Sequence, residues 1–183
     1  MKKILSLIVF VTIAFIAPAQ FRQTELQASG LTCSMCSNAI NKALKTLPFV
    51  ESVDTDLNRN LFTVTYKKGA QVDFDAIRKK VEGAGFSVAN MWVFADLNNL
   101  KVNDDQHVNV GGLDLHFMNV KSQTLQGEKK LRVIDKNFVT SKEFKKFSGY
   151  TAMSCYQTGT MASCCSSPNS SKAAGKRIYH VTI

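Results

Sequence analysis

Cys33 and Cys36 stand in the run Gly30-Leu31-Thr32-Cys33-Ser34-Met35-Cys36, directly before an amphipathic helical pattern. A Cys-x-x-Cys loop that leads into a helix lets both sulfurs converge on one ion. The unpaired N–H groups and the positive dipole end of a helix also favour anionic ligands such as thiolates. Soft cations suit such a pair: Cu(I) and Hg(II) accept two near-linear thiolates, whereas tetrahedral Zn(II) needs about four ligands. Met35 offers either a weak third sulfur or a plain exposed side chain. Three other readings of the thiols stay open: a structural disulfide, buried thiols, or a thiol–disulfide exchanger. The exchanger calls for a larger α/β sheet with a cis-proline nearby, and the prolines here are Pro18, Pro48 and Pro168.

A second concentration of sulfur lies near the C-terminus, where Cys155, Cys164 and Cys165 share a short span with Met153 and Met161. This is a possible second soft-metal site. The alternative is a disulfide from Cys155 to Cys164 or Cys165 with one thiol left over, since adjacent cysteines rarely bond to each other. His107, His116 and His180 are scattered through the sequence at no metal-ligand spacing, and they are read as non-ligands. No Ser/His/Asp set, paired-carboxylate site or phosphate loop can be defended, so the chain is not read as an enzyme.

The elements that would position the thiols are legible from periodicity. Thr24, Leu26 and Ala28 alternate with polar residues as a strand does. Cys36, Ile40, Ala43, Leu44 and Leu47 give one apolar helix face over about residues 34–47, which Pro48 ends. Val53, Thr55 and Leu57, the turn Asn58-Arg59-Asn60, and then Phe62, Val64 and Tyr66 predict a hairpin. Asp73 caps a second helix with Phe74, Ile77, Val81 and Ala84 as its buried stripe, Gly83 and Gly85 stop it, and Phe86 and Val88 open a fourth strand. Strand, helix, strand, strand, helix, strand over residues 22–90 is the ferredoxin-like order, which places the thiol loop and the loop before Phe86 at one end.

Beyond Met91 the signals change. Val108 to Val110, Gly111-Gly112 and Leu113 to Phe117 predict a hairpin. A strand at Leu131 to Ile134, a helix from Lys142 to Phe147 capped by Ser141, and a terminal strand from Ile178 to Ile183 follow. The fold class is therefore α+β: a ferredoxin-like βαββαβ domain over residues 20–90, then a small mostly-β domain over 91–183 that fits an OB-like barrel. Residues 153–176 form a Cys/Ser-rich loop.

Lys2 and Lys3, the apolar run Ile4 to Ile16 and Ala17-Pro18-Ala19 have the three-part form of a cleavable signal over residues 1–19. A run that short does not reach the roughly twenty residues of a spanning helix, so a periplasmic or secreted chain with no stable membrane anchor is expected. Removing Lys2 and Lys3 takes the formal charge from +9 to +7, an excess concentrated after residue 90. Solvated lysine faces account for it, and nucleic acid is not an expected partner of an exported chain.

The first domain resembles the heavy-metal-associated domain family, which includes small copper chaperones, the metal-binding modules of copper-transporting P-type ATPases and a periplasmic mercury-binding protein. The residues that carry the resemblance are Gly30-Leu31-Thr32-Cys33-Ser34-Met35-Cys36, Leu47-Pro48-Phe49-Val50 and Glu82-Gly83-Ala84-Gly85-Phe86. It implies a single soft ion between Cys33 and Cys36, Cu(I) first and Hg(II) as the alternative. It also implies a chaperone or resistance role and a metal-donor or metal-acceptor partner such as a P-type ATPase or efflux component. Two residues depart from the family pattern. Leu31 replaces a Met that mainly packs, and Phe86 stands where the small chaperones often carry a Lys that offsets the charge of a bis-thiolate complex.

Overall fold

The computed structural model describes residues 20–31, 33–161 and 175–183. The expected signal segment, Cys164 and Cys165 lie outside them. β1 (Gln20–Ser29), α1 (Ser34–Lys45), β2 (Val50–Asp56), β3 (Leu61–Tyr66), α2 (Phe74–Gly83) and β4 (Ser87–Val102) follow in the predicted order. β1 pairs antiparallel with both β3 and β4, and β2 pairs with β3. The first half is thus ferredoxin-like. The predicted stops and caps hold locally: Asp73 Oδ1 accepts the Ala76 N–H at 3.1 Å, and Asn60 takes the left-handed conformation in the β2–β3 turn.

β4 does not end near Val88. Met91, Val93, Ala95 and Leu97 continue the buried alternation to Val102. The sequence hides this because the intervening positions include Trp92 and Phe94, so no clean apolar–polar alternation appears. On that second face long cations cover the rings: the Lys130 ammonium lies 5.0 Å from the Trp92 centroid and 5.2 Å from that of Phe94. Part of the basic excess after residue 90 is used in this way.

The boundary expected near residue 90 therefore falls inside a strand. β5 (Gln106–Val110), β6 (Leu113–Phe117), β7 (Gln123–Val133) and β8 (Ile178–Thr182) continue one sheet in the order β2-β3-β1-β4-β7-β8-β6-β5. The strands expected to close a separate OB-like barrel instead build outward from the free edge of β4. The physical reason is the length of β4, which offers β7 a ladder from Met91 to Val102. β6 and β8 run parallel, a pairing that a small antiparallel barrel pattern does not anticipate. The Gly111-Gly112 turn is as predicted, with positive φ at both residues joining β5 to β6. Two further helices, α3 (Ser141–Phe147) and α4 (Cys155–Thr158), follow, and α3 is capped by Thr140 rather than Ser141.

One apolar core runs through the whole sheet, from Phe21, Ile40 and Phe74 to Tyr179 and Val181. Phe74 of α2 meets Phe21 at 5.1 Å and Tyr179 of β8 at 5.0 Å, both edge-on, so a helix of the first half packs directly on the last strand. Beside this contact Arg177 bonds Asp75 Oδ2 through Nε at 2.7 Å and Asp135 Oδ1 through Nη1 at 3.2 Å, and its guanidinium lies 4.1 Å from the Tyr179 ring centroid. Asp135 is almost wholly buried. Arg177→Ala removes a cation shared by two carboxylates, one of them buried. It is expected to cost about 2–3 kcal/mol, below the full buried-pair penalty because Arg177 keeps some solvent contact. Urea unfolding at neutral pH reads this as a lower midpoint with an unchanged slope.

Candidate metal centre

Cys33 is the N-cap of α1, with extended backbone, and its carbonyl accepts the Cys36 N–H at 3.2 Å and the Ser37 N–H at 3.4 Å. The first helical turn thereby folds the chain back so that the two sulfurs stand 3.0 Å apart. That separation is well beyond the about 2.05 Å of a disulfide bond. Cys33 is exposed and Cys36 partly so, while Ser37, Ile40 and Leu44 bury the opposite side of the helix. Gly30 enters the loop at φ +85, a conformation that disfavours any side chain, and its missing Cβ would sit 3.8 Å from the Phe86 ring. Phe86 therefore lies against the thiol loop, at the end predicted for it. Leu31 packs on the core, which is the role expected of the Met it replaces. Met35 is 80% exposed.

Two thiolates on a linear ion stand about 4.5 Å apart when each metal–sulfur bond is about 2.3 Å. The observed pair must open by about 1.5 Å to hold such an ion, a motion that side-chain rotation of the exposed Cys33 supplies.

The C-terminal sulfurs are divided. Cys155 begins the short helix α4 and is buried with Met161 and Ile178, and Met153 packs on that cluster. Three histidines whose sequence spacing marks them as non-ligands meet beside it. His107 of β5 pairs directly with His116 of β6, and His116 pairs directly with His180 of β8. Directly paired residues share a sheet face, so the three imidazoles form one row. Tyr179, one residue before His180, points to the α2 face, so the row occupies the opposite face. Cys155 Sγ lies 3.7 Å from His107 Nε2 and 3.7 Å from His116 Nδ1. One signal in the sequence did carry half of this. A two-residue turn at Gly111-Gly112 fixes a register in which His107 and His116 face each other.

Acidic groups orient two of the rings. His116 Nε2 lies 2.8 Å from Asp105 Oδ1, and His180 Nδ1 lies 2.8 Å from Asp135 Oδ1. Burial pushes His116 down to about 4, with the neighbouring His180 and His107 adding to the effect and the Asp105 carboxylate opposing it. Burial likewise lowers His107. Both are neutral imidazoles at pH 7.

Residues 25–87 match the family model described as heavy-metal-associated domain. Over 63 residues the chain is 30% identical to the copper chaperone CopZ of Staphylococcus haemolyticus, covering 34% of this chain and 91% of that protein. This chain belongs to the heavy-metal-associated domain family. Its heavy-metal-associated domain is also similar to the probable copper-transporting ATPase HMA5 of Arabidopsis thaliana, 31% identical over 78 residues, which are 43% of this chain and 8% of the ATPase. The copper-transporting ATPase of Saccharomyces cerevisiae is 38% identical over 65 residues, 36% of this chain and 6% of that protein. The chain thus spans only these small fractions of the ATPase relatives. Among solved structures, the yeast copper transporter domain Ccc2a is 38% identical, covers 36% of this chain and 88% of its own, and gives a TM-score of 0.33.

His116 makes the chain acid-sensitive. In the unfolded chain His116 titrates near the ordinary 6.5, whereas in the fold it stays neutral until about 4, so the unfolded state takes the proton first. The stability that depends on neutral His116 is complete above pH 6.5 and falls as the pH drops towards 4. Urea midpoints at about pH 7.5 and about pH 5 are expected to differ in that direction, and His116→Gln should flatten the dependence.

Proposed function

We propose that this chain is an exported soft-metal carrier, Cu(I) foremost, and not an enzyme. Its heavy-metal-associated domain would hold one ion between Cys33 and Cys36. The observation that carries this reading is the pair of sulfurs 3.0 Å apart at the exposed start of α1, on a helix whose other side is buried. The copper chaperone and copper ATPases that share the domain support copper as the ion. The signal-like segment at residues 1–19 supports a periplasmic or secreted location.

The geometry suits transfer more than storage. With only two thiolates on the ion and Cys33 in solvent, an incoming thiolate of the partner can bond to the metal before either cysteine leaves. The three-coordinate intermediate then sheds one original sulfur, which takes back a proton from solvent, and the second exchange completes delivery. The partner in this reading is a metal donor or acceptor such as a P-type ATPase module or an efflux component. Phe86 against the loop contributes apolar contact surface rather than the positive charge a Lys would bring, so the bis-thiolate complex keeps its negative charge available to a basic partner surface.

Reduced, anaerobic protein titrated with Cu(I) against a competing chelator tests this directly. Cys33→Ser/Cys36→Ser is expected to lose one tightly bound equivalent, and Met35→Ala to leave the affinity within about threefold, because an exposed thioether adds little to two thiolates. Equal uptake by the parent chain and the double variant, together with a reversible Cys33–Cys36 disulfide of defined potential, would replace the carrier reading with thiol–disulfide exchange.

A further inference from the structure

Away from the Cys33/Cys36 loop, one nitrogen each of His107 and His116 converges with Cys155 Sγ, no two of these atoms being more than 4.8 Å apart. The sulfur stands 3.7 Å from each nitrogen. Around a single ion with bonds of about 2.3 Å to sulfur and about 2.0 Å to nitrogen, three- or four-coordinate geometry sets sulfur–nitrogen separations of about 3.5–3.8 Å. Both sulfur–nitrogen separations already match those of ligands on one metal. An ordinary thiol–imidazole contact explains one such distance; two at once, from the paired strands β5 and β6 onto one sulfur, describe a convergent set of donors.

The surroundings are those of a supported site. The Asp105 carboxylate engages His116 Nε2, which fixes the ring and leaves the Nδ1 lone pair towards Cys155. His180 Nε2 is buried without a hydrogen-bond partner among the described residues, and its ring stands 5.0 Å from that of His116. Met161 shares the buried cluster of Cys155, and Met153 packs against it, so polarizable thioethers line the wall. His107 is the least buried of the three donors and marks the way in.

We propose that His107, His116 and Cys155 form a second copper site, on the opposite face of the sheet from α1 and α2 and towards its far edge. Binding sends the Cys155 thiol proton to solvent and leaves one thiolate and two neutral imidazoles on the ion. Two imidazoles and a thiolate, with thioether sulfur nearby, are donors that copper accepts in both oxidation states. Burial of His116 and Cys155 makes this site slower to exchange than the Cys33/Cys36 pair.

The experiment starts from the Cys33→Ser/Cys36→Ser chain, so that its outcome is independent of the first site. Titrated reduced and anaerobic with Cu(I) against a chelator, it should retain one equivalent, with an X-ray absorption spectrum showing a mixed nitrogen and sulfur shell. Adding His107→Gln or His116→Gln should weaken binding at least about tenfold, and Asp105→Gly, which suits the positive φ there, about 10–100-fold through loss of ring orientation, with Asp105→Asn restoring part of it. Circular dichroism and urea midpoints of the metal-free variants check folding. The half-buried His107→Gln carries the test if Cys155→Ser does not fold. Three results would each overturn the proposal: no retained equivalent, an equivalent indifferent to His107→Gln and lost only in Cys164→Ser/Cys165→Ser, or retention of Zn(II) with no uptake of Cu(I).

Discussion

The main-chain ladder of β4 is the constraint on which the rest of the molecule depends. Its first part closes the ferredoxin-like order by pairing Ser87 to Asp96 with β1, and its other edge pairs Met91 to Val102 with β7. Each backbone group of a buried strand must be paired, so a strand this long requires partners on both sides. β7 then takes β8, β8 takes β6, and β6 takes β5. Two halves that read as separate domains become one sheet with one apolar core, and the thiol loop and the histidine row are fixed relative to each other by hydrogen-bonded backbone rather than by a linker.

Several polar groups along this sheet form one linked set. Asp135 receives the His180 N–H at 2.7 Å, the His180 ring and Arg177, and Arg177 in turn reaches Asp75 on α2. The Asp135 carboxylate, almost wholly buried, would be costly alone. Together these groups tie the last strand to the first half and hold His180 in one orientation. Asp105 does the same for His116 from the turn between β4 and β5. The electrostatics that orient the imidazoles are therefore also part of what holds the C-terminal half in place.

The two sulfur-bearing regions differ in the way their physics differs. Cys33 stands at a helix start in solvent, where ligand exchange is open to a partner. Cys155 opens α4, buried beside the imidazoles of His107 and His116 and the thioether of Met161.

What the sequence by itself determined was everything set by neighbours along the chain. Cys33 and Cys36 converge because one helical turn brings them together, Asp73 caps α2 because its side chain reaches the Ala76 N–H, and Gly111-Gly112 turns because both residues tolerate positive φ. The ferredoxin-like order followed from periodicities of two and of three to four that each segment carries internally. Only the tertiary structure decided the continuation of β4, masked by Trp92 and Phe94 on its second face, and with it the single open sheet in place of a separate barrel. It also decided the meeting of His107 and His116 with Cys155, and of Arg177 and Tyr179 with α2. Those contacts join residues dozens of positions apart through strand pairing, and strand partners depend on which edges the rest of the fold leaves free, which no local pattern records.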